Sequence, residues 1–294
     1  MIQDSIWFKT YRKLNNHVLL PEIIDVLKSV SDSTEIEMED IGLFNMLVQN
    51  YDCTQLTVTD FQIKYPFAKT DYIKNKFDHL VKVGLLQKSD TIFRLSKKGK
   101  QLLEMLSEQY RNIDGSKVDV FTLNILESVT KNALSNRFEG YNPSLRNCMR
   151  ASLRFDDSDH KFLRLITVMN DLVALRNDQS HYRYSLLKNN WFDPKDQLSH
   201  PMMELLAGLS NHKMFKTTSF TSRPTWGYTE AETQAYLDTL RDKGFIVQLD
   251  TVLQLTNKAK EMERRASTAF EQQFYQPWLH LPIGDYKKFK ASIK

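Results

Sequence analysis

Apolar positions recur at helical spacing along most of the chain. Ile73, Phe77, Leu80 and Val81 fall at i, i+4, i+7 and i+8, the stripe of an amphipathic helix. Gly84 follows, where a left-handed cap costs least. Leu85 and Leu86 then start an extended run. Ser89-Asp90-Thr91 reads as a polar turn, and Ile92-Phe93-Arg94-Leu95 returns as a second strand. Ser96 is placed to cap a further helix with Leu102, Leu103 and Leu106 on its buried side. Upstream, residues 41–50 and 57–65 read as two short helices, with Pro66 breaking the second.

The same pattern returns later in the chain. LVKVGLLQKSDTIFRLSKKGK (80–100) aligns without a gap to LRDKGFIVQLDTVLQLTNKAK (240–260), at an offset of 160 residues. Leu80, Gly84, Asp90, Thr91, Leu95, Lys98 and Lys100 meet identical residues in the later stretch. So long an offset excludes a solenoid and implies a small module used twice, with other material between.

The expected organisation has five parts. Residues 1–34 form an N-terminal helical extension, with a helix after Pro21 carrying Ile23, Ile24, Val26, Leu27 and Val30. Residues 35–113 are the first module. Residues 114–200 are a helical linker and candidate dimerisation region. Here Val120, Phe121, Ile125 and Val129 form one stripe, and Phe162, Leu163, Ile166, Met169, Leu172 and Val173 form another. Residues 201–275 are the second module, and 276–294 a tail. The fold class expected is mainly α with small β wings: tandem winged helix-turn-helix modules joined by a helical segment.

The segment LTVTDFQIKYPFAKTDYIKNKFDHLVKVGLLQKSDTIFRLSKKGKQLLE resembles the winged-helix domain of MarR-type transcription regulators over about residues 41–110. The likeness rests on Leu80, Gly84, Leu85 and Leu86, then on the start Leu95, Ser96 and Gly99. In the second module, GYTEAETQAYLDTLRDKGFI, LTNKAKEMERR and Pro277-Trp278 resemble the C-terminal part of the SalK-like helix-turn-helix proteins. The first resemblance implies a third helix that enters the DNA major groove and a wing that meets the backbone.

Charge separates the two modules. The chain carries a formal charge of only +4. Residues 56–113 hold 11 Lys/Arg against 6 Asp/Glu, whereas residues 201–263 hold 7 against 8. The third helix of the first module, 69–84, has a balance of +2, and its counterpart, 229–244, of −2. Cations must meet phosphates for counterion release to drive binding. The first module therefore carries the candidate site: Thr70, Tyr72, Lys74, Asn75, Lys76 and His79 on the helix, Lys88 and Arg94 on the wing, and Lys97 and Lys98 after it. Asn75 suits bidentate pairing with adenine, and Lys76 suits guanine. The expected partner is double-stranded DNA bound by a transcription regulator, with a homodimer and an unidentified small-molecule effector as further candidates. The competing function is a protein–protein adaptor without nucleic-acid contact.

Other features fit no specific chemistry. The 9 Gly and 8 Pro speak against phosphate loops, and Cys53 and Cys148 are too few for a disulfide framework or a four-thiolate zinc site. No nucleotide-binding, metalloprotease or serine-hydrolase motif occurs, so neither an enzyme nor a cofactor is expected. The cluster Asp156-Asp157-Ser158-Asp159-His160, with Asp171, Asp178 and His181, is the nearest approach to a metal set. It reads better as an N-terminal cap for a following helix. Seven acids and one lysine between Glu22 and Asp40 read as a solvated face, with masking of a basic surface as the sharper alternative. Thr229-x-x-Glu232 is a capping box, and Trp226, Gly227 and Tyr228 would brace the helix it starts. Trp191 and Trp278 suit core positions. No secretory signal or apolar span appears, which fits a cytoplasmic protein.

Overall fold

A computed structural model describes residues 9–135, 143–156, 158–190, 198–210, 215–216 and 226–292. The chain is mainly helical with small antiparallel sheets. Its contacts group it into two units, one of residues 1–60, 76–178 and 274–294, the other of residues 61–75 and 179–273. Among the described residues no helix is long and apolar enough to cross a membrane.

In the first unit, Pro21 has no amide to donate within α1 (Leu20–Asp32). The preceding Arg12–Leu19 winds as a π-helix, in which the Leu20 amide bonds the Asn15 carbonyl. Helix α2 (Met38–Asn50) buries Ile41, Phe44, Leu47 and Val48 completely. It also buries Asn45 and Gln49, which bond each other and the Tyr110 hydroxyl. Helices α3 (Val58–Lys64) and α4 (Thr70–Lys82) include residues of both units, since 61–75 belong to the second; Ile73, Phe77 and Leu80 of α4 are buried as the stripe predicts, while Val81 is half-buried.

Strands β1 (Leu86–Ser89) and β2 (Ile92–Leu95) pair antiparallel, with Leu86 opposite Leu95 and Ser89 opposite Ile92. Two residues close this hairpin, and Asp90 takes the left-handed conformation (φ 54°) that the tight turn demands. Gly84 is left-handed too, at φ 81°. Ser96 caps α5 (Lys97–Arg111) by accepting the Gly99 amide. Gly99 lies against the strand: a Cβ there would stand 2.1 Å from the Leu85 carbonyl oxygen.

Helices α6 (Val120–Ser135), α7 (Pro143–Met149) and the 30-residue α8 (Lys161–Asn190) follow. Ile125 and Val129 are buried, but Val120 is 42% exposed, because it opens α6 before the stripe reaches the core. Asp178 on α8 caps α7 from a distance, accepting the Ser144 and Leu145 amides. Burial pushes its carboxyl up to about 6, against the pull of those donors.

Of the cluster before α8, Asp156 is drawn away from the helix start while Ser158 serves it. The Asp156 carboxylate is turned to Arg154, and the Ser158 hydroxyl oxygen takes the His160 amide instead. Arg154 also grips buried Asp171 through both terminal nitrogens, at 2.6 and 3.0 Å. Trp191, Asp157 and the side chain of His181 lie outside the described residues. Helices α12 (Gln276–Leu279) and α13 (Ile283–Ser292) close this unit, with Trp278 and Phe289 packed ring to ring at 5.7 Å.

In the second unit, α9 (His200–Ser210) packs Met203, Leu206 and Leu209 into one core with Leu237, Leu240, Phe245, Ile246 and Leu253. Strand β3 (Phe215–Lys216) adds to a hairpin of β4 (Ile246–Leu249) and β5 (Val252–Leu255), in the order β3-β5-β4. Helix α10 (Glu230–Asp242) precedes the hairpin and α11 (Asn257–Phe274) follows it. The register repeats that of the first hairpin, with Ile246 opposite Leu255 and Leu249 opposite Val252. Asp250 (φ 55°) and Gly244 (φ 71°) repeat the backbone of Asp90 and Gly84.

Candidate nucleic-acid interface

The outer stripe of α4 follows from its inner one. With Ile73, Phe77 and Leu80 inward, Asp71, Lys74, Asn75, His79 and Lys82 are exposed, at the spacing of one helical face. Thr70 is exposed, and its hydroxyl accepts a bond from Gln62 at 2.9 Å. Lys74 and Asn75 lie in the open on the second turn.

Two of the six helix candidates are engaged by acids of α2. His79 Nε2 lies 2.7 Å from the buried Asp40 carboxylate, and Lys76 Nζ lies 3.9 Å from Glu39. One member of the acidic run thus does more than face solvent. Asp40 is buried against His79, while the Glu39 side chain stays 85% exposed beside Lys76. Lys76 is half-buried.

The candidates beyond α4 stay on the surface, three of the four with their heads tethered. Lys88 pairs with Asp78 at 2.9 Å and lies over the Phe93 ring. Arg94 donates to the Thr54 carbonyl, and Lys98 to the Val83 carbonyl. Lys97 and Lys100 are exposed on the first turn of α5. Lys74, Lys82 and Lys97 hold no ion pair among the described residues.

No family model, curated protein or solved structure matches the chain.

The start of α4 has neighbours that sequence reasoning missed. Within the second unit, Tyr65 stacks on Trp226 at 4.6 Å and Phe67 meets the same ring edge-on at 4.9 Å. The Lys69 amide donates to the Trp226 carbonyl. The Lys69 ammonium lies over the Tyr228 ring and pairs with Glu232 Oε1 at 2.5 Å. Trp226 and Gly227 are both left-handed, at φ 59° and 87°, and a Cβ on Gly227 would stand 2.4 Å from the Tyr72 Cβ. Tyr72 is half-buried for that reason, which removes one expected reader from the open face.

Glu232 completes the capping box expected of it, taking the Thr229 amide and hydroxyl on Oε2. The Lys69 and Thr229 donors together pull its carboxyl down to about 2. Trp226 and Tyr228 were expected to brace their own helix. Tyr228 does so, meeting the Tyr236 ring of α10 edge-on at 5.5 Å, and both residues also hold residues 65–72, for which the sequence signal was an opposite-charge pair, Lys69 and Glu232, beside two aromatic turns.

Two cavities lie in the first unit. One of about 340 Å³ is bounded by Lys131, Arg154, Asp156 and Arg164 among others. All five guanidinium donors of Arg154 are already spent on Asp156, Asp171 and the Cys148 carbonyl, so this network reads as structural. The other, about 120 Å³, lies beside Tyr51, Asp52 and Asn147. Among the described residues no group of three or more His, Cys, Asp or Glu side chains is arranged to hold a metal.

Proposed function

We propose that the chain is a duplex-DNA-binding protein, a transcription regulator of MarR-like winged helix-turn-helix type, in which the first of two tandem modules makes the contact. The observation that carries this reading is the exposed run of Lys74, Asn75 and Lys82 along one face of α4, with exposed Arg94, Lys97 and Lys98 on the hairpin and the helix after it. Lys74 and Lys82 supply phosphate attraction, and Asn75 supplies an amide able to pair with adenine. Tyr72, Lys76 and His79 take lesser parts, since each is packed or engaged by protein.

The test is a mobility shift with generic duplex at rising salt. Binding should weaken steeply with salt, and Lys74→Glu with Lys82→Glu should abolish it at an unchanged melting temperature. Absence of binding at low salt would leave the adaptor reading in its place. One observation favours that second reading for the second module alone. The outward face of its hairpin is apolar, with Val247 41% and Leu249 57% exposed.

A further inference from the structure

The start of α4 is held by the carboxylate that also caps α10. We propose that Glu232 stands where a DNA backbone phosphate would bind, withholding Lys69 from the duplex, so that the second module damps DNA binding by the first. This rests on the DNA-binding reading above.

Lys69 directly precedes Thr70, the first residue of α4. A helix start offers anions its free amides and the positive end of its dipole, and a lysine there is suited to a phosphate. Both donors of Lys69 are taken, its amide by the Trp226 carbonyl and its ammonium by Glu232. Glu232 does not depend on Lys69 for its position. Its Oε2 is fixed by the Thr229 amide and hydroxyl, and Oε1 is left to face the lysine.

The pair is exchangeable. The Lys69 and Glu232 side chains retain 32% and 42% of their exposure, and ion pairs that open to water are weak and sensitive to salt. A duplex, with many phosphates near one another, can compete for such a lysine. The second module cannot return the favour, because Thr229 occupies the position equivalent to Lys69 at the offset of 160.

Glu232→Gln separates charge from structure. A glutamine at this position keeps the capping box, since its amide oxygen still accepts the Thr229 amide. Anisotropy titrations of a 20-base-pair duplex between 50 and 200 mM salt should show E232Q binding several-fold more tightly than the native chain at the low end. One added phosphate contact steepens the log–log salt slope by about 0.9, so this advantage should shrink about 3.5-fold across the range. Both effects should vanish in E232Q with Lys69→Gln.

A second readout needs no DNA. Limiting acetic anhydride followed by mass spectrometry should modify Lys69 more slowly than Lys74 in the native chain and at a similar rate in E232Q. Native binding that E232Q leaves unaltered would overturn the inference and spare the DNA reading. Lys69 as reactive as Lys74 in the native chain would also overturn it. Failure of both proteins to bind duplex would overturn the DNA reading and this inference with it.

Discussion

The two hairpins share a register and a turn, yet present opposite surfaces. Their outward positions are Gln87, Ser89, Ile92 and Arg94 in the first, and Val247, Leu249, Val252 and Gln254 in the second. The helices before them diverge likewise: α4 exposes Asp71, Lys74, Asn75, His79 and Lys82, whereas α10 exposes Glu230, Ala231, Ala235, Arg241 and Asp242. The inward residues match closely, with Leu80, Leu86 and Leu95 answered by Leu240, Ile246 and Leu255, all buried. One core pattern thus serves two surfaces, because packing constrains only the inner half of each element. The lesson is that the repeat identifies architecture, and function must be sought where the repeats disagree.

The sharpest way to break the equivalence is at the first turn of the helix after the hairpin. Gly99→Ala should destabilise the first repeat by about 3 kcal/mol, since the new methyl meets the Leu85 carbonyl. Ala259 already occupies the equivalent place in the second repeat, where it is fully buried. Ala259→Gly should cost only about 1 kcal/mol, from helix propensity. Urea denaturation of both variants checks the pair, and equal losses would mean that the two helices approach their strands alike.

Two carboxylates that cap helices offer a contrast in pH. Asp178, buried under α7, has its folded value raised to about 6, so the folded state binds the proton more tightly than the unfolded chain. Its contribution is most favourable below about pH 4 and declines as pH rises to about 6, by about 3 kcal/mol in all. Native chain compared with Asp178→Asn by urea denaturation at pH 4 and pH 7 should show that difference. Exposed Glu232 has its value lowered to about 2, so its support is present above the ordinary glutamate range and lost as pH falls towards 2. Opposite pH trends for caps of the same chemical kind would follow from burial at Asp178 and from the Lys69 and Thr229 donors at Glu232.

Truncating the aromatic brace tests how firmly the start of α4 is held. Trp226→Ala removes the stacked and edge contacts to Tyr65 and Phe67 and should cost about 2 kcal/mol. Hydrogen exchange of the amides of 70–73 should quicken accordingly. The smallest effect is expected on the apolar hairpin face, where Leu249→Lys should change stability by less than about 0.5 kcal/mol, because the side chain is already in water. A larger loss would show that this face is covered in solution.

Features fixed by near neighbours were legible in the chain. Gly84, the Asp90 turn, the Ser96 cap and the Thr229–Glu232 box each depend on residues a few positions away, and each stands where the pattern placed it. Pairings across long separations were not. Nothing local in Asp178 points to the Ser144 amide, nothing in Trp226 points to Tyr65, and nothing in Asp156 announces that Arg154 takes it from the helix it was expected to cap. The candidate site shows the same division. Exposure of Lys74 and Asn75 follows from the helical stripe, while the engagement of His79 by Asp40 and of Lys69 by Glu232 requires the tertiary fold.

The claim that only the first repeat meets DNA is tested most directly by hydrogen exchange of the native chain with and without generic duplex at low salt. Slowed exchange at residues 74–82 and 86–98, with residues 234–255 unchanged, is the expected result. Protection confined to 234–255, or none in either repeat at saturating duplex, would contradict it.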